Sequence, residues 1–479
     1  MIPSTELKVS PNYIGGEWIE TPEHDVVRLP YDGTPVGAVP RAGVDLVDKA
    51  VIAARAGFAA MREMANYERA DLLLKIADLL RRDLAEYTQI VCSETGKPIK
   101  EARVESERCL QTLIAAAHEG RQLHGEVIPM DFSATGKGRM AMTVREPLGV
   151  IACITPFNVP LNLALHKVAP ALAAGNAIIH KPASKTPLSA MRLARTMEEA
   201  GVPRGAYNAI TGGGARIGMA LAVHPGIAML TFTGSAEVGR AIKAHAGFKK
   251  VTLELGNNSA VIVEPDADLN AAVSRSVQGA FAHSGQVCIS VQRAFVHRSI
   301  AGEFVERMRA GAEALRIGHP YEQATDISSL IDEAEAVRIE EWIGEAVAGG
   351  AKVVTGGKRS RATVTPTVLT GVPAACNVSC QEAFGPVVAV YPYDDLQSAI
   401  EQANATPYGL QAGIFTPDIQ RAFQAARKLE VGGVMINDIP MYRADHMPYG
   451  GVKESGSGRE GPHYAIEEMT ELKLICWKA

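Results

Sequence analysis

Cys288, Asn158 and Glu254 carry side chains that could supply a nucleophile, an oxyanion donor and a base. Cys288 stands in SGQVCIS, after a helix-like run over 270–283 and a turn at Gly285. A thiol that faces a cleft and has a lowered pKa is a nucleophile. Asn158 lies in a proline-flanked loop between an apolar strand and a helix, where its carboxamide could donate to an oxyanion. Glu254 ends an apolar strand, at the edge where open α/β sheets bind ligands, and could act as a general base.

Each of these three residues also has an ordinary structural explanation. One cysteine among seven is more often structural than catalytic. Asn158 suits the geometry of a turn, and Glu254 could be an edge carboxylate that faces solvent. The residue types therefore raise the hypothesis of nucleophilic catalysis, and taken singly they leave it open.

A glycine-containing segment, FTGSAEVG, follows a predicted strand and has features of a phosphate site. Gly234 and Gly239 bracket the start of a helix, where backbone N–H groups favour an anion. The dinucleotide fingerprint G-x-G-x-x-G is absent from its usual position, and TGGGARIG has the wrong spacing. A tight strand-to-helix turn explains the same glycines at least as well.

The composition is that of a soluble globular protein. The 479 residues are 47% hydrophobic and 21% charged, which excludes a disordered chain, a collagen-like repeat and a disulfide-rich miniprotein. The net charge of −5 and the lack of a basic patch argue against nucleic acid as a partner. No signal peptide and no apolar run of about 20 residues is evident, so no membrane association is predicted.

The seven cysteines are odd in number and widely spread, which predicts a reducing, cytoplasmic location. Cys376 and Cys380 come nearest to a metal-binding pair. No second pair of Cys or His lies at the spacing that zinc needs, so no metal site is predicted.

The chain alternates between strand-like and helix-like segments. One continuous helical pattern covers 66–95, a second covers about 100–120, and two short strands over 125–147 surround the loop SATGKGR. From 148 onward, apolar strands alternate with amphipathic helices, which predicts parallel sheets covered on both faces. The predicted helices cover 161–174, 187–200, 214–223 and 235–246. A second alternating set over 291–437 predicts a second α/β domain, with the join near 255.

Seven ordered motifs give the chain a specific resemblance. TPFNVPLN, HKPAS, FTGS, LELG, GQVCIS, QEAFGP and PYGGVKESGSGREG together resemble the NAD(P)-dependent aldehyde dehydrogenase superfamily over essentially the whole chain. The resemblance implies an α/β fold in which a Rossmann-type cofactor domain over 1–124 and 148–255 joins an α/β catalytic domain over 256–450. It also implies oligomerisation elements over 125–147 and 451–479, and hence a homodimer or homotetramer.

The resemblance assigns a role to each of the three candidate residues. Cys288 would attack the aldehyde carbon, and the Asn158 side chain with the Cys288 backbone N–H would hold the oxyanion. Glu254 would activate the water that hydrolyses the thioester. A CoA-acylating relative commonly lacks this glutamate and a non-catalytic relative should have lost the cysteine, so both alternatives carry less weight.

The resemblance also implies NADP or NAD as cofactor. Lys181 matches a lysine that binds the adenosine ribose. Ser184 stands where many NAD-preferring relatives have a glutamate, so a 2′-phosphate would meet no carboxylate there. We therefore expect NADP to be accepted. The full set of cofactor positions is Thr155, Pro156, Phe157, Lys181, Ser184, Gly214, Phe232, Gly234, Ser235, Val238, Leu255, Gly256, Glu382 and Phe384.

The substrate is expected to be a small polar or anionic aldehyde, as in relatives of the lactaldehyde and phosphonoacetaldehyde type. Arg108, His166, Arg443 and His446 match positions that border the substrate tunnel, where Arg and His would favour an anionic tail. Arg108 could instead form a surface ion pair with Glu105, and His446 could be a loop hydrogen-bonder. A succinic-semialdehyde-like or a broad aliphatic and aromatic specificity is the alternative.

One motif departs from the family pattern. Where many relatives read LELGGKSP, this chain reads LELGNNSA, with Asn257 and Asn258 next to the proposed base. We interpret this as local variation that could alter the placement of cofactor or water.

Overall fold

The computed structural model describes residues 7–478 of the chain. Its α-helices are α1 (Val44–Glu63), α2 (Asn66–Arg82), α3 (Leu84–Thr95), α4 (Ile99–Arg121), α5 (Pro160–Ala173), α6 (Leu188–Ala200), α7 (Gly214–Val223), α8 (Ala236–His245), α9 (Leu269–Phe281), α10 (Arg298–Glu313), α11 (Glu333–Ala348), α12 (Asn377–Cys380), α13 (Leu396–Asn404), α14 (Ile419–Lys428) and α15 (Pro462–Glu468). Short 3-10 turns cover Met130–Phe132, Ala134–Gly136, Ala282–Gly285 and Lys453–Ser455.

The strands of the first half of the chain are β1 (Asn12–Ile14), β2 (Glu17–Ile19), β3 (His24–Arg28), β4 (Pro35–Pro40), β5 (Val127–Ile128), β6 (Arg139–Pro147), β7 (Val150–Ile154), β8 (Ala177–Lys181), β9 (Tyr207–Ala209), β10 (Met229–Thr233) and β11 (Lys250–Glu254). Those of the second half are β12 (Ala260–Val263), β13 (Arg293–His297), β14 (Lys352–Thr355), β15 (Arg359–Ser360), β16 (Thr363–Val364), β17 (Thr367–Thr370), β18 (Val387–Tyr393), β19 (Gln411–Phe415), β20 (Gly433–Ile436), β21 (Gly456–Ser457) and β22 (Thr470–Lys478).

Two large sheets organise the chain, as the alternating pattern predicted. The first has the order β2-β1-β9-β8-β7-β10-β11-β21, and its strands from β9 to β11 run parallel. The second has the order β14-β17-β18-β13-β12-β19-β20 and is parallel except for β14 at its edge. The predicted domain boundaries remain a prediction, and β21 places a segment near the C-terminus in the first sheet.

A smaller sheet joins the segment over 125–147 to the C-terminal strand. β6 pairs with β5 and, along its whole length, with β22, from Thr470 opposite Pro147 to Lys478 opposite Arg139. The outer edge of β22 is unpaired within residues 7–478. In the same described part of the chain, none of the helices combines the length and apolar character that crossing a membrane requires.

One predicted helix is wrong in its extent. The pattern over 66–95 is two helices, because the chain breaks at Asp83, between α2 and α3. Asp83 has non-helical backbone angles and pairs with Arg82 and with Arg192 of α6. A break there directs the acidic side chain toward these arginines, which the periodicity of apolar residues cannot reveal.

Helix α5 lies in the centre of the molecule. Every residue from Pro160 to Ala173 is buried, and the helix packs against α4, α2 and α15. A helix that is buried on all sides has no solvent face for polar side chains, so those that it carries must find partners inside. Asn162, His166 and Lys167 are such residues.

Candidate active site

The parallel strands of the first sheet bring the candidate residues to one edge. Asn158 follows β7, Lys181 ends β8, Ser235 follows β10 and Glu254 ends β11. In the register of the sheet, Ile154 lies opposite Lys181, and Glu254 lies opposite the last residue of β10. Because parallel strands end at the same edge, these residues border a common crevice.

Cys288 reaches this crevice from the second half of the chain. The 3-10 turn before it contains His283 and Ser284 in the left-handed region, with φ of 49° and 53°. The backbone N–H of His283 donates to the carboxylate of Glu101, which holds this strained turn against helix α4. The thiol of Cys288 is half-buried. Burial raises its pKa to about 12, against the opposing effect of a hydrogen bond with Tyr449.

Asn158 is held close to the cysteine segment. Its side chain is buried, and Nδ2 donates to the backbone carbonyl of Gln286 at 2.8 Å, two residues before Cys288. One N–H of the carboxamide is used in this bond, and the other is free to donate to an oxyanion.

The helix that follows Asn158 is anchored at its N-terminus by Glu105. This carboxylate accepts from Leu161 N at 2.9 Å and from Asn162 N at 3.3 Å, and it is paired with the buried Lys97. The arrangement satisfies two of the free N–H groups at the start of α5 and places a negative charge at the positive end of the helix.

Glu254 is buried, and neither of its carboxylate oxygens has a hydrogen-bond partner within residues 7–478. Burial raises the pKa of Glu254 well above its usual range, and the negative charge of Glu460 raises it further. Lys167 and Arg443 act in the opposite direction. A buried carboxyl with a raised pKa and free lone pairs is suited to accept a proton from water.

A cavity of 460 Å³ unites most of the predicted catalytic and cofactor residues. The predicted residues that line this cavity are Pro156, Phe157, Asn158, Gly234, Ser235, Glu254, Leu255, Gly256, Cys288, Glu382 and Phe384. The sequence did not single out the remaining lining residues, which are Leu163, Ala183, Lys185, Thr233, Ile331, Asp332, Glu335 and Arg338.

A neighbouring cavity of 540 Å³ contains Ser184 and shares Lys185, Ile331 and Asp332 with the first. The hydroxyl of Ser184 donates to the carbonyl of Gly212 at 2.9 Å. The amine of Lys181 is buried and donates to the carbonyl of Pro182 at 2.8 Å. Its burial lowers the pKa of Lys181 to about 8.

The other predicted cofactor residues support the crevice without lining the 460 Å³ cavity. A side chain at Gly214 would lie 3.8 Å from the Lys181 amine, and Thr155 contacts His180 at 3.0 Å. Phe232 packs beneath Gly234. The backbone N–H of Val238 donates to Ser235 Oγ at the start of α8.

Glu382 projects into the cavity from the second half of the chain. It accepts from the backbone N–H of Asn257 at 3.0 Å, and burial raises its pKa to about 7. A side chain at Gly256 would meet the carboxylate of Glu382, so the glycine leaves room for Glu382 in this position. The unusual Asn258 donates to the carbonyls of Ser379 and Gln381 and so fixes the segment before Glu382.

Two of the residues predicted to contact substrate converge on an acidic residue that the sequence did not single out. Asp445 accepts from Arg108 Nη2 at 2.7 Å, from His166 Nε2 at 3.0 Å and from Asn162 Nδ2 at 3.0 Å. The alternative that Arg108 pairs with Glu105 is wrong, because Glu105 is buried and faces Lys97 instead. Burial is the main cause that lowers the pKa of His166, and the positive charge of Arg443 lowers it further, so this ring is neutral at pH 7.

Arg443 belongs to a second charged group, closer to the thiol. Its guanidinium pairs with Glu460 at 2.9 Å and lies over the ring of Tyr449, 3.7 Å from the ring centre. Glu460 also pairs with the buried Lys167 of α5 at 2.7 Å. His446 is exposed on the loop between Arg443 and Tyr449.

Sequence reasoning missed Tyr449, Glu460, Asp445 and Lys167. Tyr449 and Glu460 lie in PYGGVKESGSGREG, so the motif contained them, but only their contacts reveal what they do. Lys167 is a lysine within a mostly apolar helix, which is a signal of an internal partner. Residues 7–478 contain no group of three or more His, Cys, Asp or Glu side chains placed to hold a metal ion.

Comparison with known proteins supports the resemblance drawn from the motifs. The model of the aldehyde dehydrogenase family matches residues 18–475. A 3-sulfolactaldehyde dehydrogenase from Priestia aryabhattai is 49% identical over 471 residues, which are 98% of this chain and 98% of that protein.

Solved structures agree in fold. Aldehyde dehydrogenase 21 from Physcomitrella patens, in complex with the reaction product succinate, has a TM-score of 0.97 at 40% identity, with 99% of each chain covered. Glyceraldehyde-3-phosphate dehydrogenase from Methanocaldococcus jannaschii, complexed with NADP, has a TM-score of 0.92 at 40% identity, with 96% of this chain and 100% of that chain covered. The family model, the curated relative and the solved structures each match nearly the whole chain. We therefore conclude that this chain belongs to the aldehyde dehydrogenase family.

Proposed function

We propose that this protein oxidises a small polar or anionic aldehyde to the carboxylic acid, with NADP⁺ or NAD⁺ as hydride acceptor and water as acyl acceptor. The observation that carries the proposal is the 460 Å³ cavity lined by Cys288, Asn158, Glu254 and Glu382. A nucleophile, an oxyanion donor and a base that share one cavity are the groups that a two-step oxidation through a thioester requires.

In the first step, Cys288 Sγ forms a bond to the aldehyde carbon, and the carbonyl electron pair moves onto the oxygen. The free N–H of Asn158 and the backbone N–H of Cys288 stabilise this oxyanion. Collapse of the oxyanion would leave a thioester, and a nicotinamide held beside Glu382 and Phe384 would supply the hydride acceptor for this carbon.

In the second step, Glu254 takes a proton from water while the water oxygen attacks the thioester carbon. The carbon–sulfur bond breaks, the carboxylic acid leaves, and the thiolate of Cys288 is restored. Because the carboxylate of Glu254 has no hydrogen-bond partner in the described part of the chain, both of its oxygens are available for this proton. Its presence favours hydrolysis over transfer of the acyl group to a thiol such as CoA.

The residues present fit a dinucleotide. Lys181 has a buried amine whose hydrogen bond goes to a carbonyl, so it retains N–H donors for a ribose or phosphate. Glu382 would bind a ribose hydroxyl, and Ser235 at the start of α8 would bind a phosphate. Ser184 presents a hydroxyl where a carboxylate would repel a 2′-phosphate, which supports acceptance of NADP.

The charged groups at the positions predicted to border the substrate tunnel support an anionic substrate, although none of them is among the lining residues of the 460 Å³ cavity. Arg108, Arg443 and Lys167 are cationic, whereas Asp445 and Glu460 are the carboxylates that they pair with. Arg108 uses Nε and Nη2 to bind Asp445, and a third of its side chain remains exposed. Its Nη1 is left to bind a sulfonate or carboxylate. Two similar proteins support this interpretation: one is a 3-sulfolactaldehyde dehydrogenase, whose named substrate carries a sulfonate, and the other, aldehyde dehydrogenase 21, was solved with succinate, which carries carboxylates.

Steady-state kinetics test the proposal directly. The panel contains small anionic aldehydes such as 3-sulfolactaldehyde and succinic semialdehyde, neutral lactaldehyde, hexanal and benzaldehyde, each with NADP⁺ and with NAD⁺. We expect the anionic group to have the highest kcat/KM and NADP⁺ to be used. A clear preference for hexanal or benzaldehyde contradicts the anionic substrate, and a strong NAD⁺ preference contradicts the interpretation of Ser184.

The nucleophile is tested by Cys288→Ala, which should abolish oxidation while cofactor binding is retained. The matched control is Cys380→Ala, which removes a half-buried thiol that does not line the cavity. Oxidation that survives Cys288→Ala rules out the assigned nucleophile. Addition of CoA should leave the rate unchanged, since water is the proposed acceptor.

We also propose that the protein forms a homo-oligomer through the small sheet. This sheet exposes Leu472, Leu474 and Trp477 of β22 and Met140 of β6, next to a strand edge that pairs with no other strand of residues 7–478. An apolar surface and a free edge are typical of an interface. Light scattering after size-exclusion chromatography should give a dimer or tetramer, and a monomer at micromolar concentration contradicts this proposal.

A further inference from the structure

The phenol of Tyr449 lies directly against the reactive sulfur. Its oxygen is 2.8 Å from Cys288 Sγ, although the two residues are 161 positions apart in the chain. Tyr449 is 2% exposed, so its side chain is shielded from bulk water. Nothing in the proposed mechanism so far uses this hydroxyl.

Two features hold the phenol in place. The backbone of Tyr449 forms a reciprocal bridge with Glu460, with N to O distances of 3.0 Å and 2.6 Å. The guanidinium of Arg443 covers one face of the ring, 3.7 Å from its centre, and is itself paired with the Glu460 carboxylate. A cation over the ring draws electron density from the phenol and makes its O–H a stronger donor.

We infer that Tyr449 is a further catalytic residue, whose phenol donates a hydrogen bond to Cys288 Sγ and stabilises the thiolate that attacks the aldehyde. The inference rests on the proposed function, in which Cys288 is the nucleophile. Burial raises the pKa of Tyr449 well above its usual range, so the phenol stays protonated and acts as donor. A thiolate that is partly removed from water needs such a donor, because charged sulfur with fewer water contacts is costly without one.

The proton balance is simple. The thiol proton of Cys288 leaves to water in the cavity, and the phenol of Tyr449 keeps its own proton throughout. The bond from sulfur to carbon then forms as the carbonyl pair moves onto oxygen. When the thioester is hydrolysed, the sulfur leaves as a thiolate and again accepts the hydrogen bond. Tyr449 therefore assists both the attack and the departure of the same sulfur.

Other charges also act on this thiol. Glu382 and Glu254 raise the pKa of Cys288, whereas Arg443 lowers it together with the Tyr449 bond. Removal of the Tyr449 hydroxyl leaves these charges in place, and a phenylalanine ring fills the same space beneath Arg443. The variant Tyr449→Phe therefore isolates the hydrogen bond.

The test measures the reactivity of Cys288 without any aldehyde. Alkylation by iodoacetamide is followed from pH 6 to 10 by mass spectrometry of the peptide that contains Cys288. We expect Tyr449→Phe to lower the alkylation rate about tenfold at each pH of this range, which corresponds to a rise of about one unit in the pKa of the thiol. Turnover with the aldehyde should fall as well, while the KM for the cofactor stays unchanged.

The matched control is Tyr87→Phe. Tyr87 is also fully buried, its phenol contacts Thr196 at 2.7 Å, and Arg192 lies over its ring at 5.0 Å. It lies on α3 in the helical layer, so its loss should leave the alkylation profile of Cys288 unchanged. A second variant carries 3-fluorotyrosine at position 449, whose more acidic phenol is a stronger donor, and we expect its profile to move to lower pH.

The outcomes separate this inference from the proposed function. Identical alkylation profiles for wild type and Tyr449→Phe overturn the role of Tyr449, as does an equal shift in Tyr87→Phe. A wild-type protein that oxidises no aldehyde of the panel overturns the proposed function, and the alkylation experiment still reports on the contact between phenol and thiol.

Discussion

Asp445 is the carboxylate on which the residues around the predicted substrate site depend, and its replacement by asparagine tests this arrangement. It accepts two hydrogen bonds from Arg108, at 3.2 and 2.7 Å, and one each from Asn162 and His166, both at 3.0 Å. Asp445→Asn preserves the shape of the side chain. It removes the negative charge and replaces one accepting oxygen by an amide that also donates, so at least one donor loses its partner.

The expected loss of stability follows from the burial of each partner. Breaking a fully buried ion pair costs about 3–5 kcal/mol. Here the Arg108 side chain is 33% exposed and regains water, and the neutral His166 leaves no unpaired charge. We therefore expect Asp445→Asn to lower the free energy of unfolding by about 2–3 kcal/mol at pH 7.

The assay is a double-mutant cycle in urea, with Asp445→Asn, Arg108→Met and the double variant at one protein concentration. If the two side chains interact as the distances indicate, the double variant loses at least about 1 kcal/mol less than the sum of the single losses. Losses that add to within about 0.5 kcal/mol refute the coupling, and with it this account of the site.

The dependence on pH gives a second check. Burial alone would raise the pKa of Asp445, but hydrogen bonds from His166 and Arg108 outweigh it and hold the pKa well below its usual range. A lowered pKa in the folded state contributes stability above the unfolded pKa of about 3.9, and this contribution is lost as the pH falls toward the folded value. The difference between wild type and Asp445→Asn should therefore be constant from pH 7 to 8, where His166 is neutral, and the contribution of the Asp445 charge should shrink below about pH 4.

Two further predictions concern the base. Glu254→Gln should keep a first-turnover burst of reduced cofactor in quenched-flow measurements and slow steady-state turnover by about 10²-fold or more, and loss of the burst together with turnover would contradict this role. In the wild type, the rate of hydrolysis should rise with pH, because the pKa of Glu254 is raised and its carboxylate, which is the base, forms only at higher pH. Gly450→Ala would place a methyl group 2.9 Å from Glu254 Oε1 and 2.7 Å from the Gly458 carbonyl oxygen, so it should slow hydrolysis more than the burst. The control is Gly344→Ala, whose methyl group would meet no atom of the described residues within 4 Å and should change neither rate. Equal behaviour of the two alanine variants would show that the backbone at Gly450 does not position the base.

Local patterns account for much of what could be predicted. The helix from 188 to 200 and the one from 214 to 223 lie within one residue of their predicted bounds, because apolar spacing reports which face a segment buries. The single helix predicted over 66–95 was wrong at Asp83 because apolar residues continue at helical spacing on both sides of the break. One partner of Asp83 at this break, Arg192, is 109 residues away in the chain and leaves no local signal.

Motifs and apolar spacing were enough to identify the family, the alternation of strands and helices, and Cys288, Asn158 and Glu254 as candidates. They did not reveal which charged and polar groups meet in the fold: Arg108 with Asp445, 337 residues apart, and the phenol of Tyr449 with the thiol of Cys288. Secondary structure follows from spacing over a few residues, whereas a buried polar side chain takes whichever partner the packing of distant segments brings within about 3 Å, and the cost of leaving it unpaired makes that choice specific.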